Sequence, residues 1–188
     1  MGSRRERWSA HRHVARGAAL GLAACALGGT LLTGCSLTST SVDACGSTSV
    51  RITVGQFGIG QGHFGGALLF RNDASTACTL QGYPVARAVA SDGGRTTAAL
   101  DSPRGYVGGL LPGSTQPPKV TLVPGAVASA ILEGAGVAPT SAPCPRYRAL
   151  LVGVPGGRAT TALAIETAAC RRLQIHPIVP GESGDQSP

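Results

Sequence analysis

From Val50 onward the chain is a series of short runs in which apolar and polar residues alternate or β-branched residues cluster. Gly, Pro, Asn or Asp closes most of the runs. That period belongs to strands, and the breaks carry turn chemistry. Strands are expected at Val50–Gln56, Ala67–Arg71, Ala86–Ser91, Thr96–Leu100, Lys119–Val123, Ala126–Glu133, Tyr147–Val154, Ala159–Glu166 and Arg172–His176. Turns are expected at Asn72-Asp73, Ser91-Asp92-Gly93-Gly94, Val123-Pro124-Gly125 and Pro155-Gly156-Gly157, where the residues suit tight reversals. Ala126–Ala130 is alanine-rich enough for a helix, but it is short and closely bounded by Gly and Pro. Many short strands at this spacing predict an all-β fold, a two-sheet antiparallel sandwich of immunoglobulin-like or cupredoxin-like architecture. It would span residues 45–180, and the polar tail at 181–188 is expected to be disordered.

Composition agrees with this and adds one constraint. Glycine and proline, 28 and 13 of 188 residues, suit many tight turns. Aromatics make up only 4%, so the core must be built from Ala, Val, Leu and Ile.

The first 34 residues read differently. Residues 1–16 carry five arginines, Gly17–Leu32 is uncharged, and small residues follow up to Cys35. This is the three-part plan of a secretory signal peptide, expected as a helix ahead of the sandwich. The uncharged run is 16 residues, short of the roughly 20 that span a bilayer. Leu32-Thr33-Gly34-Cys35 resembles the bacterial lipobox, which implies cleavage before Cys35 and a thioether-linked lipid on it. Cys25 competes poorly, because only Gly17–Leu22 would precede it as an apolar run. Ser3-Arg4-Arg5 leaves a twin-arginine export route open beside the general one. The expected location is therefore extracytoplasmic, lipid-anchored to the outer face of the cytoplasmic membrane, with residues 35–44 as a polar tether. Stable attachment takes two acyl chains.

Removing the signal changes the charge argument. The formal charge is +7, but five arginines and one glutamate lie before Cys35, so the mature chain carries +3. No basic cluster interleaved with aromatics is large enough for a nucleic-acid footprint. Cys45, Cys78, Cys144 and Cys170 then remain, an even set that reads as two disulfides in an exported domain. Three connectivities are open; the pairing expected is Cys45–Cys78 and Cys144–Cys170, one staple per half.

Several of these pieces together resemble a known family. They are the lipobox, FRNDASTACTLQGYPVARAVASDGG at Phe70–Gly94, VTLVPGAVASAIL at Val120–Leu132, LLVGVPGG at Leu150–Gly157 and Cys170 before a strand. The chain is similar to the secreted actinobacterial family catalogued as domain of unknown function 4232. The block Asn72…Cys78-Thr79-Leu80…Gly82-Tyr83-Pro84 is its most specific part. The resemblance implies an extracytoplasmic β-sandwich, often lipid-anchored, and carries over no catalytic residue.

Candidate chemistry is sparse. Gly60-Gln61-Gly62-His63-Phe64-Gly65 fits G-x-G-x-x-G, but strand-like residues follow and no acid stands about 20 positions on, so it reads as a flexible loop. The apolar Phe57, Ile59 and Phe64 of that segment are a candidate contact surface. Arg146, Arg148, Arg171 and Arg172 would gather around a Cys144–Cys170 staple as a basic patch for an anionic glycan or a phospholipid headgroup. A copper site wants two His, a free Cys and usually a Met; the mature chain offers only His63 and His176 and no Met. His176 reads as solvated, and no metal or cofactor is expected. No catalytic motif is found, and Asp101, Glu133 and Glu166 lie one per distant strand end. The favoured expectation is a non-enzymatic binding or scaffolding module whose partner is an envelope glycan or an envelope protein. The alternatives are an enzyme or enzyme accessory using those acids, and a small-ligand carrier.

Overall fold

The computed structural model describes residues 41–137 and 142–186; the signal segment, Cys25 and Cys35 lie outside the described residues. Twelve strands and no helix make up the described chain. They are β1 (Val50–Gly60), β2 (His63–Asn72), β3 (Cys78–Gln81), β4 (Val85–Ala90), β5 (Thr96–Ala98), β6 (Leu100–Asp101), β7 (Lys119–Leu122), β8 (Val127–Ala135), β9 (Arg146–Gly153), β10 (Thr161–Ala168), β11 (Gln174–Ile175) and β12 (Val179–Pro180). One sheet runs β1-β2-β8-β11-β6 with β12 also on β8, a second runs β10-β9-β4-β5, and β3 pairs β7. The pairing is antiparallel throughout except β11 with β6. The expected Thr96–Leu100 strand is split there. Ala99 N still bonds to Ala86 O of the second sheet, while Leu100 N bonds to Leu173 O beside the first, so the chain changes sheets within two residues.

Alternation decides what is buried. Leu68 and Phe70 of β2, Ala128, Ala130 and Leu132 of β8, and Ala88, Leu150 and Val152 of β4 and β9 are all fully enclosed. They pack as one cluster contributed by both sheets, with small alanines where aromatics are scarce. The expected turns form with the required backbone: Gly93, Gly125 and Gly156 all have positive φ. Asn72 does more than turn the chain. Fully buried, its amide donates to Leu122 O at 2.9 Å and Thr76 O at 2.8 Å, and its oxygen accepts Ala74 N at 3.0 Å. Disulfides join Cys45 to Cys78 and Cys144 to Cys170.

The two staples mark opposite ends of the sandwich. Cys45 N bonds to Thr79 O, and Cys78 pairs in register with Leu122, the carbonyl that Asn72 holds at the start of the β1–β2 ladder. At the other end Cys170 N bonds to Ala135 O, and Ala135 is in register with His63. The ten residues of β2 between these levels span about 30 Å at ~3.3 Å per residue.

The tail corrects an expectation. Residues 181–186 were expected to be disordered, yet they lie over the outer face of β8. Ser129 Oγ donates to Gly181 O at 2.7 Å and accepts Gly184 N at 2.8 Å. Arg104 Nη1 pairs with Asp185 at 3.0 Å, and Gln186 N bonds to Gly109 O. A polar residue count alone suggests disorder; an unsatisfied serine on a covered strand face supplies the partner that orders it.

Candidate functional site

The site grows from the β1–β2 hairpin. One extra residue enters β1 between Val54 and Phe57, a bulge that turns the Phe57 ring over Gly66. The two strands close through Gln61 and Gly62, whose φ values of 49° and 77° are those of a type I′ hairpin turn. The segment expected as a flexible loop is therefore paired strand up to its two-residue tip. Of its three apolar candidates only Ile59 remains a surface residue, at 90% exposure. Phe64 is buried against Gly134 and Phe57 is half-buried on the core, because both rings find glycines opposite them.

Beside the hairpin stands Tyr106, 57% exposed, on the 102–111 loop. Its ring stacks on His63 with centroids 4.5 Å apart and planes 16° from parallel. Its hydroxyl donates to Gln61 Oε1 at 2.8 Å, which fixes the only non-glycine residue of positive φ among the described residues. Tyr106, His63 and Ile59 line an open cleft of about 480 Å³ that also takes in Gln56, Glu182 and Ser183.

A buried acid holds this loop down. Glu133 faces outward from β8 but is only 5% exposed, because the 102–111 loop covers it. Its two carboxylate oxygens accept the backbone amides of Tyr106 at 3.0 Å and Val107 at 2.8 Å. His176 Nε2 lies 3.6 Å from Oε2, and His176 Nδ1 lies 2.8 Å from Ser102 O. A carbonyl only accepts, so Nδ1 carries a proton. Nε2, 3.6 Å from the carboxylate, makes no hydrogen bond, and a Cβ at Gly105 would overlap both groups. Burial pushes the Glu133 carboxyl upward, but His176 and the amides of Val107 and Tyr106 outweigh it and hold it below the usual carboxylate range.

This pair corrects two expectations. His176 is fully buried rather than solvated, and Glu133 is a brace for a loop rather than an acid facing substrate. Spacing 43 residues apart offered no motif. The available signal was chemical: a lone acid in VASAILEGA and a lone His before PIV, each inside an apolar run that needs a partner when buried. Asp101 sits in β6 and Glu166 in β10, on different sheets, so the three acids do not share an end of one strand pair. Among the described residues no group of three His, Cys, Asp or Glu is placed to hold a metal.

The arginines fall partly as expected. Arg146 and Arg148 project from β9 beside the Cys144–Cys170 staple, and Arg171 and Arg172 follow it; all four are exposed. Arg148 reaches over the Gly93 turn, while Arg172 Nε donates to Ala98 O and so points toward β5. Arg95, which was not singled out, joins Arg146 around a neighbouring cleft.

Fold and site together define an all-β, disulfide-stapled sandwich whose exposed aromatic stack sits on a hairpin at one end. The chain belongs to the family described as Domain of unknown function (DUF4232), which it matches over residues 45–178. No curated protein and no solved structure matches it.

Proposed function

We propose that the chain is an exported lipoprotein, anchored through Cys35 to the outer face of the cytoplasmic membrane, and that its sandwich is a non-enzymatic binding module. The module presents the Tyr106–His63 cleft to the envelope. The observation that carries this reading is the separation of ends. The tether enters at Asp43–Cys45, where Thr79 N bonds to Asp43 O, while the cleft lies about 30 Å away along β2. Covalent geometry limits the reach from Cys35 to Cys45 to about 30 Å. On this reading the cleft stands at the end of the domain remote from Cys45, where the tether enters. The lipobox resemblance at Leu32–Cys35 supplies the address, and the staples suit an oxidising compartment.

Binding suits this geometry better than catalysis. Glu133 is enclosed with both oxygens accepting backbone amides, and Glu182, the acid that lines the cleft, has no second acid on the cleft wall to act with. The test is intact mass of protein extracted from membranes, which is expected to start at a diacylglyceryl-modified Cys35; Cys35→Ala should be released or left unprocessed. A soluble wild-type chain starting at another residue refutes the anchored reading.

A further inference from the structure

We infer that Glu133 and His176 form a proton-operated latch for the 102–111 loop: a second proton on the imidazole, taken up in mild acid, locks the loop and its Tyr106 onto the sheet. The latch goes beyond the binding-module reading and holds whether or not the chain is anchored through Cys35. It starts from a polar atom left over in the core. His176 is fully buried, Nδ1 donates its hydrogen to Ser102 O at 2.8 Å, and Nε2 has no hydrogen-bond partner among the described residues. Nε2 nevertheless faces Glu133 Oε2 at 3.6 Å, and that carboxylate is itself buried. With one proton on the ring, two atoms that only accept face each other, and the pair encloses a net negative charge. With two protons, Nε2–H gains an acceptor, the charges cancel, and the gap can close to a charge-assisted bond of about 2.7–2.9 Å. Position 105 leaves the approach clear, because it is a glycine where any Cβ would overlap both groups.

The pair sits where the loop is tied down. Ser102 and Gly105 belong to the loop, the Glu133 oxygens accept the amides of Tyr106 and Val107, and His176 N bonds to Ile131 O of β8. Lifting the loop admits water to imidazole and carboxylate alike and weakens their attraction. The closed loop therefore holds the second proton more firmly than the open one, and by linkage closure strengthens as pH falls through the range where histidines charge. Glu133 is the acid that pairs with His176. The other ionisable groups on the surrounding elements are placed differently. Arg104 of the loop is held by Leu110 O and by Asp185 of the tail, Glu182 is exposed on the cleft wall, and Asp101 of β6 is exposed beside Ile175. Tyr83 follows Gly82, whose carbonyl accepts Ile178 N; burial and Asp101 push its hydroxyl upward, so it stays neutral. His63 of β2 stacks on Tyr106.

The test is a pH series from about 8 to about 5 on the purified full chain, the interval in which histidine changes charge. Nitrogen–proton correlation spectra of the imidazole rings are expected to show His176 protonated at Nδ1 alone at the upper end and at both nitrogens at the lower. Over the same interval, hydrogen exchange at the Tyr106 and Val107 amides, corrected for its intrinsic pH dependence, should slow by about tenfold or more, the effect of one charge-assisted bond. His176→Asn keeps a donor for Ser102 O without a titrating ring, and Glu133→Gln removes the countercharge; each should abolish the slowing. His63→Phe keeps a ring on Tyr106 and should retain it, which separates the two histidines of the described residues. A His176 ring that keeps one protonation state throughout refutes the latch, and so does exchange that fails to slow. Slowing that survives His176→Asn, or that vanishes in His63→Phe, refutes it as well. Thermal melts report whether each variant is folded; where one is not, the wild-type ring spectra and exchange decide alone. None of these outcomes bears on the Cys35 mass, which tests the anchored reading by itself.

Discussion

Truncating Glu133 tests the brace that holds the recognition loop. Glu133→Ala removes the acceptor for two backbone amides, those of Tyr106 and Val107, and leaves His176 facing an apolar gap. A hydrogen bond to a charged group contributes about 1.5–3 kcal/mol, and a buried donor left unpaired costs its desolvation. Two such bonds give an expected loss of about 3–6 kcal/mol, a large share of the roughly 5–15 kcal/mol that holds a domain together. Glu133→Gln keeps one accepting oxygen but aims an NH₂ group at the other amide, so about half that loss is expected. The acid dependence has a definite sign. The folded chain holds this carboxyl below its usual range, so it binds the proton less readily than the unfolded chain does. The contribution is complete above the unfolded value of about 4.3 and drains away as pH falls through the lower folded value. Urea unfolding at neutral pH should therefore separate wild type, Gln and Ala in that order, and an acid series should show a flatter decline for Glu133→Gln. Hydrogen exchange should find the Tyr106 and Val107 amides deprotected in the Ala variant. A loss below about 1 kcal/mol, or unchanged exchange at those two amides, refutes the argument.

Gly105→Ala should cost about 1–3 kcal/mol by overpacking the carboxylate and Nε2 of His176, and adding Glu133→Ala should cost less than the two separate losses combined; thermal melts of the cycle decide it. Replacing both cysteines of either staple with alanine should remove about 3.5 kcal/mol, since the bridges close loops of 33 and 26 residues; denaturant midpoints measure it. Truncation after Pro180 should destabilise the domain by about 2–3 kcal/mol, because Ser129 loses both its tail partners and Arg104 loses Asp185; a melt unchanged from wild type would return the tail to disorder.

What was legible in the sequence follows the range of the forces involved. Strands and turns answer to neighbours a few residues away, so alternation found β1, β2, β4 and β7 to β10, and glycine found the turns at Gly93, Gly125 and Gly156. β3, set among turn residues, and two-residue β12 escaped; β7 is no longer than β3 but stands in the longer expected run Lys119–Val123. The block Asn72…Pro84, which carried the family resemblance, turns out to be structural. Asn72 ties three backbone groups, Cys78 closes a staple, and Gly82 takes φ 101° where its carbonyl accepts Ile178 N. Its residues therefore identify the fold and leave the ligand unmarked.

The candidate site escaped for the opposite reason: it is assembled by long-range closure. Gln61 and His63 of the hairpin, Tyr106, Glu133 and His176 come from four separate stretches, and no local spacing links those stretches. Their common cause is the outer face of β8. An antiparallel sheet ordinarily leaves one face to water, and Ser129, Ile131 and Glu133 alternate on that face as if solvated. The 102–111 loop and the tail instead lie across it, and each polar residue beneath is satisfied by the backbone that covers it. Covering the face brings Tyr106 to the hairpin tip, and the buried carboxylate sets where that ring stands. A mutation that spares every cleft residue but unseats Glu133 should therefore weaken binding through the position of Tyr106. In Glu133→Ala, at a temperature where the variant remains folded, the ring-current shift that Tyr106 places on the His63 ring protons should shrink. An unchanged shift would mean that the bond from the Tyr106 hydroxyl to Gln61 positions the ring without the brace.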